Sequence, residues 1–395
     1  DLEAVPSLRA KAMEQWQDPQ LLLTIARRFN LLALFNDELA TLEQAAALDP
    51  SNRAIQLDRG LSLLRFGRFA EGWPLFEWRR TGFKPAVSLP NLEPGLVCQS
   101  LLILPEDGLG DQIMFASLLD QSVALAPDQA VVVDPRLRSL MERSFPHLQV
   151  ITTAETIQTN QFQAQIRMGS LAAHQPPSQA HFHAHRKAYL SADPGKTQAL
   201  RHRHLPNPRS GELLCGISWR STSPANGAMK SVNLEALAKA LALPGVRLLS
   251  LQYGDTQAER DDLRRSTGLE VLADPQIDPF ADIDGLAALI NACDLVVSVS
   301  NTTAHLAAGL GQRTWLLIDS RLDWRWGLDD PDSLWSPTTR LFRQPDPGDW
   351  ATPLGTIQEE LTILQRHHPL RSALDAPGPG ARPSPPPEAN RKWVF

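Results

Sequence analysis

Apolar and polar residues along this chain alternate between short β-branched runs and stretches with helical spacing. The clearest case is residues 295–311, LVVSVSNTTAHLAAGLG. The run Leu295 to Val299 predicts a buried strand, and the apolar spacing from Ala304 to Leu310 predicts a helix. Gly311 follows where a helix commonly stops. Between strand and helix lie four small polar residues: Ser300, Asn301, Thr302 and Thr303.

This junction is a candidate anion site. A strand that runs directly into a helix leaves backbone N–H groups free at the positive end of the helix dipole. Such a point can hold a phosphate or a diphosphate, and His305 in the first helical turn could add a ring N–H. The alternative is an ordinary helix with a polar N-cap and a histidine in the core. The pattern alone leaves both interpretations open.

The same alternation of strands and helices occurs in two halves of the chain. It predicts a parallel sheet in each half, and two such halves predict two lobes with a cleft between them. In the first half the predicted strands are 101–104, 130–133 and 150–152, and the helices are 111–119 and 137–143. In the second half the strands are 213–217, 246–251, 295–299 and 314–318, and the helices are 234–242 and 283–292.

Residues 8–80 show helical spacing with an internal period of 34 residues. Small residues, aromatic residues and a closing proline at fixed offsets are typical of tetratricopeptide repeats, and we expect about two of them. The alternative is a helical hairpin domain without repeats. Stacked repeats form a groove that can hold a peptide. The pairs that are 34 residues apart are Ala26 and Gly60, Phe35 and Phe69, and Leu42 and Phe76, and Pro50 follows the second helix of the first repeat.

Proline and glycine mark the boundaries between these parts. Residues 81–99 contain Pro85, Pro90 and Pro94 and predict a linker. The sequence therefore predicts a helical-repeat module at 1–80, a linker at 81–99, a first α/β domain at 100–209, a second at 210–350, a C-terminal helix at 351–371 and a Pro-rich disordered tail at 372–395.

Length, charge and cysteine content narrow the class of protein. With 395 residues, of which 43% are hydrophobic and 21% charged, the chain has the composition of a globular protein of two or three domains. Its net charge of −6 argues against general nucleic-acid binding, and no apolar run is long enough to cross a bilayer. Cys98, Cys215 and Cys293 lie far apart, which fits a cytoplasmic location. Because the first residue is Asp1 and not Met, the sequence does not decide whether a signal peptide precedes it.

A second candidate site follows the first predicted strand, in PEDGLGDQIMF at 105–115. We expect Gly108 and Gly110 to let the backbone turn tightly and approach a ligand. Ile113 replaces the third glycine of a dinucleotide-binding fingerprint, which argues against that motif. Asp111 is either the N-cap of the following helix or a carboxylate at the cleft that acts as a general base. The pattern does not choose between these two roles.

Basic residues and histidines supply further candidates. In GISWRSTSPANGAMKS at 216–231 a strand ends at Ser218, and a polar loop then carries Arg220 and Lys230. These cations either neutralise a diphosphate or remain solvated at the surface. The histidines of HFHAH at 181–185 alternate as metal ligands can, but no carboxylate or cysteine completes a site. We therefore expect a solvated loop and no metal.

Several segments, taken in order, resemble one protein family: bacterial tetratricopeptide-repeat proteins with a glycosyltransferase domain related to the lipopolysaccharide heptosyltransferases. The resemblance covers nearly the whole chain except residues 372–395, and its specificity lies in the ordered set. The segments are EGWPLFEWRR at 71–80, GLGDQIMFASLL at 108–119, MGSL at 168–171, GISWRS at 216–221, SLQYGD at 250–255, DLVVSVSNTTAHLAAGLG at 294–311, DWRWG at 323–327 and LFRQPDPGDW at 341–350.

The resemblance implies a GT-B fold, in which two Rossmann-like domains face each other across a cleft. The N-terminal domain at 100–209 would face the acceptor and the C-terminal domain at 210–350 would bind the nucleotide-sugar. Asp111 takes the place of the family's catalytic base, and Lys230 is the nearest match to the family's lysine that touches the phosphates. The acceptor side is expected to include Gly108, Gly110, Gln112 and Ser170. The nucleotide and diphosphate side is expected to include Ser218, Arg220, Lys230, Gln252, Ser300, Asn301, Thr302 and His305.

Two positions depart from the family pattern. The Asp-Thr-Gly…His segment of heptosyltransferases is Ser300-Asn301-Thr302…His305 here, so the aspartate is replaced. Gln252 stands where a ribose-contacting glutamate is expected. The identity of the nucleotide and the contact to the ribose therefore stay open.

The sequence thus predicts an inverting, metal-independent glycosyltransferase without a cofactor. It would move a sugar from a nucleotide-sugar to a protein or glycan acceptor held by the repeats, with no nucleic-acid partner and no transmembrane segment. The alternative is a catalytically degenerate scaffold that binds a protein partner through the repeats. A sugar-nucleotide epimerase on the same fold is a third interpretation, which does not account for the repeats. The sequence gives no indication of which sugar is transferred.

Overall fold

The computed structural model describes residues 5–14, 17–80, 87–174, 187–206, 212–224, 226–321 and 323–366. The histidines at 181–185, the first part of the predicted linker and the predicted disordered tail at 372–395 lie outside these ranges. The expectations for those segments stay predictions.

Within residues 5–14 and 17–80, five helices form the N-terminal module: α1 (Val5–Glu14), α2 (Pro19–Leu31), α3 (Phe35–Leu48), α4 (Arg53–Arg65) and α5 (Phe69–Phe76), followed by a 3₁₀ turn at Glu77–Arg80. Asp18 and Asn52 cap α2 and α4 by accepting backbone N–H groups with their side chains. The starts of α2 and α4 are 34 residues apart, and so are those of α3 and α5. The helix pairs thus recur with the predicted period.

Packing within the module explains the residue types at the 34-residue spacing. Ala26 and Leu42 are buried in the cluster formed by α2 and α3. Gly60 lies against α5, where an added Cβ would come 2.8 Å from the Cβ of Leu75. Phe76, which corresponds to Leu42, is also buried. The assignment of these pairs to the tetratricopeptide family stays a prediction.

A four-stranded parallel sheet forms the core of the first α/β lobe. Its strands are β1 (Ser100–Leu104), β2 (Asp128–Val133), β3 (Gln149–Thr152) and β4 (Ala164–Arg167), in the order β3-β2-β1-β4. Its helices are α6 (Leu109–Phe115), α7 (Leu119–Ser122), α8 (Arg138–Ser144) and α9 (Leu171–His174). The three predicted strands are present, and β4 is an addition.

A six-stranded parallel sheet forms the second lobe. Its strands are β5 (Leu213–Ser218), β6 (Val246–Ser250), β7 (Val271–Leu272), β8 (Leu295–Val299), β9 (Thr314–Ile318) and β10 (Thr339–Arg343), in the order β10-β9-β8-β5-β6-β7. The helices in this part of the chain are α10 (Pro194–His204), α11 (Gly227–Lys230), α12 (Leu234–Leu241), α13 (Gln257–Thr267), α14 (Ile283–Ala292), α15 (Thr302–Gly309) and α16 (Ala351–Arg366). Two lobes with parallel sheets confirm the α/β part of the predicted fold class.

Two described segments near the boundaries between the parts, 87–99 and α10, pack against the lobes. Residues 87–99, predicted as linker, run along the edge of the first sheet, where Asn91 pairs with Gln165 of β4 and Leu92 is buried. Helix α10 falls in the range predicted for the first lobe, yet it packs on α14 of the second. The chain therefore reaches the second lobe before residue 210.

The last described helix, α16, spans Ala351–Arg366, within the range 351–371 predicted for the C-terminal helix. Leu354, Ile357 and Leu361 are buried on one face, and the helix packs on α12 and β10. Within the described ranges, no helix combines the length and the apolar character that crossing a membrane requires.

Candidate functional site

A cavity of 540 Å³ lies where the helical module and both lobes meet. Helix α4 supplies Leu61 to its wall, the first lobe supplies Asp111, and the second lobe supplies Lys230 and Arg325. Of the described residues that line it, eight are Arg or Lys and five are Asp or Glu, so the wall favours an anionic ligand. Two of the predicted site residues, Asp111 and Lys230, are thus brought into one cavity.

Asp111 faces across the cleft. It occupies the third position of α6, whose N-cap is Gly108. Its Oδ1 accepts hydrogen bonds from Nη2 of Arg325 at 2.5 Å and from Nε at 3.1 Å. The side chain is 33% exposed. The interpretation of Asp111 as an N-cap is therefore wrong, because its carboxylate pairs with a guanidinium of the other lobe.

Alternating charges continue from this pair into the second lobe. Arg325 also donates from Nη1 to Oδ1 of Asp323 at 2.9 Å, and Nζ of Lys230 lies 3.4 Å from Oδ2 of the same residue. Burial alone would raise the pKa of Asp323, but the charges of Arg325 and Lys230 outweigh it and hold this pKa well below its usual value. Burial would likewise lower the pKa of Arg325, and the two carboxylates raise it instead. Lys230, Asp323, Arg325 and Asp111 thus form a chain of opposite charges across the cleft.

The start of α15, the predicted diphosphate site, is occupied by protein contacts. Ser300 Oγ accepts a hydrogen bond from Nε1 of Trp326 at 3.0 Å, and the ring of His305 stacks on Trp326 with centroids 5.1 Å apart. Burial, and secondly the charge of Arg325, lower the pKa of His305 to about 4, so the ring is neutral at pH 7. Gly110 of α6 lies directly against His305 and Thr302. Helix α6 therefore covers this point.

Three other predicted nucleotide contacts are buried among strand ends. Asn301 is the N-cap of α15, and its Nδ2 donates to Oγ of Ser218 at 2.8 Å. Ser218 donates to Oε1 of Gln252 at 3.1 Å, and this oxygen also accepts the backbone N–H groups of Trp219 and Arg220. These side chains join the ends of β5, β6 and β8. Their contact with a nucleotide stays a prediction.

Arg220 points towards α13. Its guanidinium pairs with the carboxylate of Glu259 and donates to the backbone carbonyl of Asp255 at 2.9 Å. Glu259 also accepts from Nε1 of Trp219 at 3.0 Å. Of the two predicted cations, Lys230 lines the cavity and Arg220 does not.

Two predicted acceptor-side residues hold segments together. Gln112 donates to the backbone carbonyl of Glu106 at 2.8 Å and accepts a backbone N–H after β2. Ser170 donates to Oε2 of Glu77 at 2.9 Å and accepts from Nη2 of Arg79 at 3.1 Å. Both side chains are buried, and neither lines the cavity. Ser170 instead joins the first lobe to the helical module.

The chain does bend at residues 107 and 108, but neither Gly108 nor Gly110 has a backbone conformation that requires glycine. Gly108 is extended, with φ −91° and ψ 136°, and Gly110 lies inside α6. Neither has the positive φ that favours glycine. An alanine Cβ at Gly110 would lie 3.1 Å from Cδ2 of His305, so this glycine permits the close approach of α6 to α15.

Sequence reasoning missed Asp323 and Arg325, although DWRWG at 323–327 was among the family segments. The signal in the sequence was that Asp323 and Arg325, two opposite charges, alternate with tryptophans shortly after β9. Charges are seldom surrounded by large apolar residues unless they have a partner. Glu106 was also missed; it binds Arg79 at 2.7 Å and the backbone N–H of Gly169 at 2.9 Å. These contacts link residues too distant in sequence for any local pattern to show.

An aromatic cluster joins the module to both lobes around this site. Phe76 lies 5.5 Å from Trp324 between ring centroids, and Phe115 lies 6.0 Å from both Phe76 and Trp335. The segment at 71–80 thus contacts the loop that carries Arg325. Among the described residues, no group of three or more His, Cys, Asp or Glu side chains is arranged to hold a metal ion.

Comparison with known proteins gives the following likenesses. The chain is similar to Protein FlbA of Caulobacter vibrioides, with 31% identity over 370 residues, covering 85% of this chain and 60% of FlbA. It thus spans 60% of the length of this curated relative. It is similar in structure to a glycosyl transferase family 9 protein of Veillonella parvula, with a TM-score of 0.47, 13% identity, and coverage of 69% of this chain and 97% of that one. It is also similar in structure to the ADP-heptose lps heptosyltransferase II of E. coli, with a TM-score of 0.46, 14% identity, and coverage of 68% of this chain and 99% of that one. No family model matches the chain.

Proposed function

We propose that the chain is a glycosyltransferase that moves a sugar from a nucleotide diphosphate donor to a hydroxyl of a protein or glycan acceptor, with inversion and without a metal ion. The observation that carries this proposal is the meeting of Asp111 and Lys230, one from each lobe, in a single cavity. These are the two positions at which the sequence resembles the base and the phosphate-binding lysine of heptosyltransferases. Geometry and resemblance therefore point to the same residues.

In the proposed reaction the acceptor oxygen attacks the anomeric carbon of the donor sugar, and its proton passes to the carboxylate of Asp111. The bond between the anomeric carbon and the diphosphate breaks, and the nucleotide diphosphate leaves with the electron pair. A single displacement on the face opposite the leaving group inverts the anomeric configuration. A positioned carboxylate contributes about 10²–10⁴-fold to such a step.

Lys230 is the cation that we assign to the diphosphate. Its side chain is 13% exposed and lines the cavity, and its contact with Asp323 is long, at 3.4 Å. Ser300, Asn301 and His305 use their side chains for contacts within the protein. We therefore place the phosphate charge at Lys230 rather than at these side chains.

The helical module supplies the acceptor side in this proposal. Arg53, Leu57 and Leu61 of α4 line the same cavity as Asp111. An acceptor held along α4 therefore has its hydroxyl near the carboxylate that removes the proton. This arrangement explains why a repeat module precedes the two α/β lobes.

One observation favours a second function, that of a binding scaffold. Gly110 and the Asp111–Arg325 pair close the space in front of α15, where the resemblance places the diphosphate. If this closure persists in solution, the α/β body does not bind nucleotides. The cavity next to the module then receives only a protein partner.

A thermal-shift panel separates the two functions. The ligands are ADP, GDP, UDP and TDP and their common sugars, with the corresponding nucleosides as uncharged controls. A ligand at 100 times its Kd stabilises the folded state by about 2.7 kcal/mol, which raises the melting temperature measurably. The enzyme proposal expects one base to give a shift that its nucleoside lacks. A panel without any shift contradicts it and supports the scaffold.

A further inference from the structure

The carboxylate of Asp111 is held at one of its two oxygens. Both contacts from Arg325, at 2.5 Å and 3.1 Å, go to Oδ1. Arg325 is itself fixed, because Asp323 binds its Nη1 at 2.9 Å and its guanidinium lies 4.6 Å above the ring of Trp324. The position of Oδ1 is therefore set by a group that has little freedom to move.

The other oxygen, Oδ2, faces Gly108. An alanine Cβ at position 108 would lie 3.3 Å from Oδ2. Gly108 has φ −91° and ψ 136°, a conformation that any residue adopts, so the backbone does not require glycine here. What glycine provides is space beside Oδ2. Among the described residues, the hydrogen bonds made by the Asp111 side chain all go to Oδ1.

We infer that Arg325 is a positioning residue that fixes Oδ1 so that Oδ2 receives the acceptor proton, and that Gly108 keeps the approach to Oδ2 open. The inference rests on the proposed glycosyl transfer. The proton leaves the acceptor hydroxyl for Oδ2 while the new C–O bond forms, and the carboxylic acid that results returns the proton to solvent. Arg325 keeps its hydrogen bonds to Oδ1 throughout and does not touch the substrate.

The arrangement also explains why Gly108 and Arg325 act together. A carboxylate free to rotate would turn away from a methyl group at position 108 and keep its activity. Because Arg325 holds Oδ1, Oδ2 cannot move by the few tenths of an ångström that the methyl group demands. Misplacement of a reacting group by about 1 Å can lower turnover by about 10²-fold, and a smaller displacement lowers it by less.

The test measures kcat, acceptor KM and nucleotide Kd for Gly108→Ala, Arg325→Gln and Arg325→Lys. Gly355→Ala is the control, since among the described residues no atom outside the neighbouring backbone of its own helix lies within 4 Å of an added Cβ. We expect Gly108→Ala and Arg325→Gln each to lower kcat by about 10–10²-fold, while the nucleotide Kd of Gly108→Ala stays at the wild-type value. Arg325→Lys keeps a positive charge and should recover part of the loss. A purely structural role for Arg325 would lower the melting temperature of Arg325→Gln but leave the kcat of the folded protein at the wild-type value.

Asp111→Asn is measured beside them to separate two failures. If Asp111→Asn retains turnover, the assignment of Asp111 as the base is wrong and so is this inference. If Asp111→Asn is inactive while Gly108→Ala and Arg325→Gln turn over at the wild-type rate, only the inference about Gly108 and Arg325 is wrong. A melting-temperature cycle with Asp111→Asn, Arg325→Gln and the double variant needs no substrate. The inference expects the double variant to lose less than the sum of the single losses, and strict additivity overturns it.

Discussion

Trp73 of the helical module packs edge-on against Trp324 of the second lobe, with ring centroids 5.7 Å apart and planes at 88°. Trp324 directly precedes Arg325, and the guanidinium of Arg325 lies over its ring. The loop that reaches Asp111 is therefore supported from the side of the helices. The module serves both as a wall of the cavity and as a support for the residues inside it.

Trp73→Ala should destabilise the whole chain and not only the module. Trp73 is fully buried and contacts aromatic rings of both lobes, so its truncation leaves a large cavity at the junction. We expect a loss of about 3–5 kcal/mol in the free energy of unfolding, measured by urea denaturation. Val97→Ala, at a position that is 71% exposed, is the control and should stay within about 0.5 kcal/mol. A small effect of Trp73→Ala would mean that module and lobes are held apart in solution.

Gly60→Ala should destabilise the helical module. The added Cβ would lie 2.8 Å from the Cβ of Leu75, so α4 and α5 would have to separate at a cost of about 1–3 kcal/mol. Gly355→Ala places the same methyl group in a helix with free space around it and should stabilise by about 0.4–1 kcal/mol. Chemical denaturation of both variants checks the pair. Equal effects at the two positions would argue against the packing of α4 on α5.

His305 should make the fold sensitive to acid. Its pKa in the folded state is about 4, below the ordinary 6.5, so the unfolded state binds this proton more readily. As the pH falls from about 6.5 to 4, protonation favours unfolding, and up to about 3 kcal/mol of unfolding free energy is lost. Besides burial, the charges of four neighbours shift the pKa of His305: Arg325 and Lys230 lower it, and Asp111 and Asp323 raise it.

The measurement compares unfolding free energies at pH 7 and pH 4.5 for the wild type and His305→Gln. In the variant, the unfolding free energy should lose most of its pH dependence between pH 7 and pH 4.5, since glutamine does not titrate. His147→Gln, at an exposed position, is the control and should keep the wild-type dependence. If His305→Gln keeps it as well, the ring is not buried as described.

Lys230→Ala should weaken nucleotide diphosphate binding by about 1–3 kcal/mol, as expected for a lost charge-assisted hydrogen bond. Calorimetry with the diphosphate and with the corresponding nucleoside locates the effect, since only the charged ligand should respond. Lys239→Ala is the control, because that lysine is 59% exposed and pairs with Glu235. Unchanged affinity of Lys230→Ala would move the diphosphate away from this residue.

Local patterns in the sequence were sufficient for most of the two sheets. The strand predicted at 295–299 is β8, because a β-branched apolar run has few alternatives in a buried sheet. Helix α13 was missed, since QAERDDLRRST buries only Leu263 and shows little apolar spacing. Helix α10 was missed for the same reason, with Leu200 and His204 as its buried residues. Charged helices of this kind are held by contacts that hydrophobicity does not reveal.

The site was predictable only in part. Asp111 and Lys230 could be proposed because each follows a strand of a parallel sheet, where ligands commonly bind. Arg325, which pairs with Asp111, lies 214 residues beyond it, and this contact depends on how the two lobes pack. The burial of Gln252 and Asn301 was equally hidden, since it depends on three strand ends meeting.

The most direct test of the central claim is the turnover of Asp111→Asn with the acceptor and donor that the wild type uses. Asparagine keeps the shape of the side chain but cannot take the acceptor proton. We predict a loss of about 10²–10⁴-fold in kcat, with nucleotide affinity near that of the wild type. Asp120→Asn, at a carboxylate that is 46% exposed and outside the cavity, should turn over normally. Undiminished turnover of Asp111→Asn would contradict the account, because another group would then have to remove the proton.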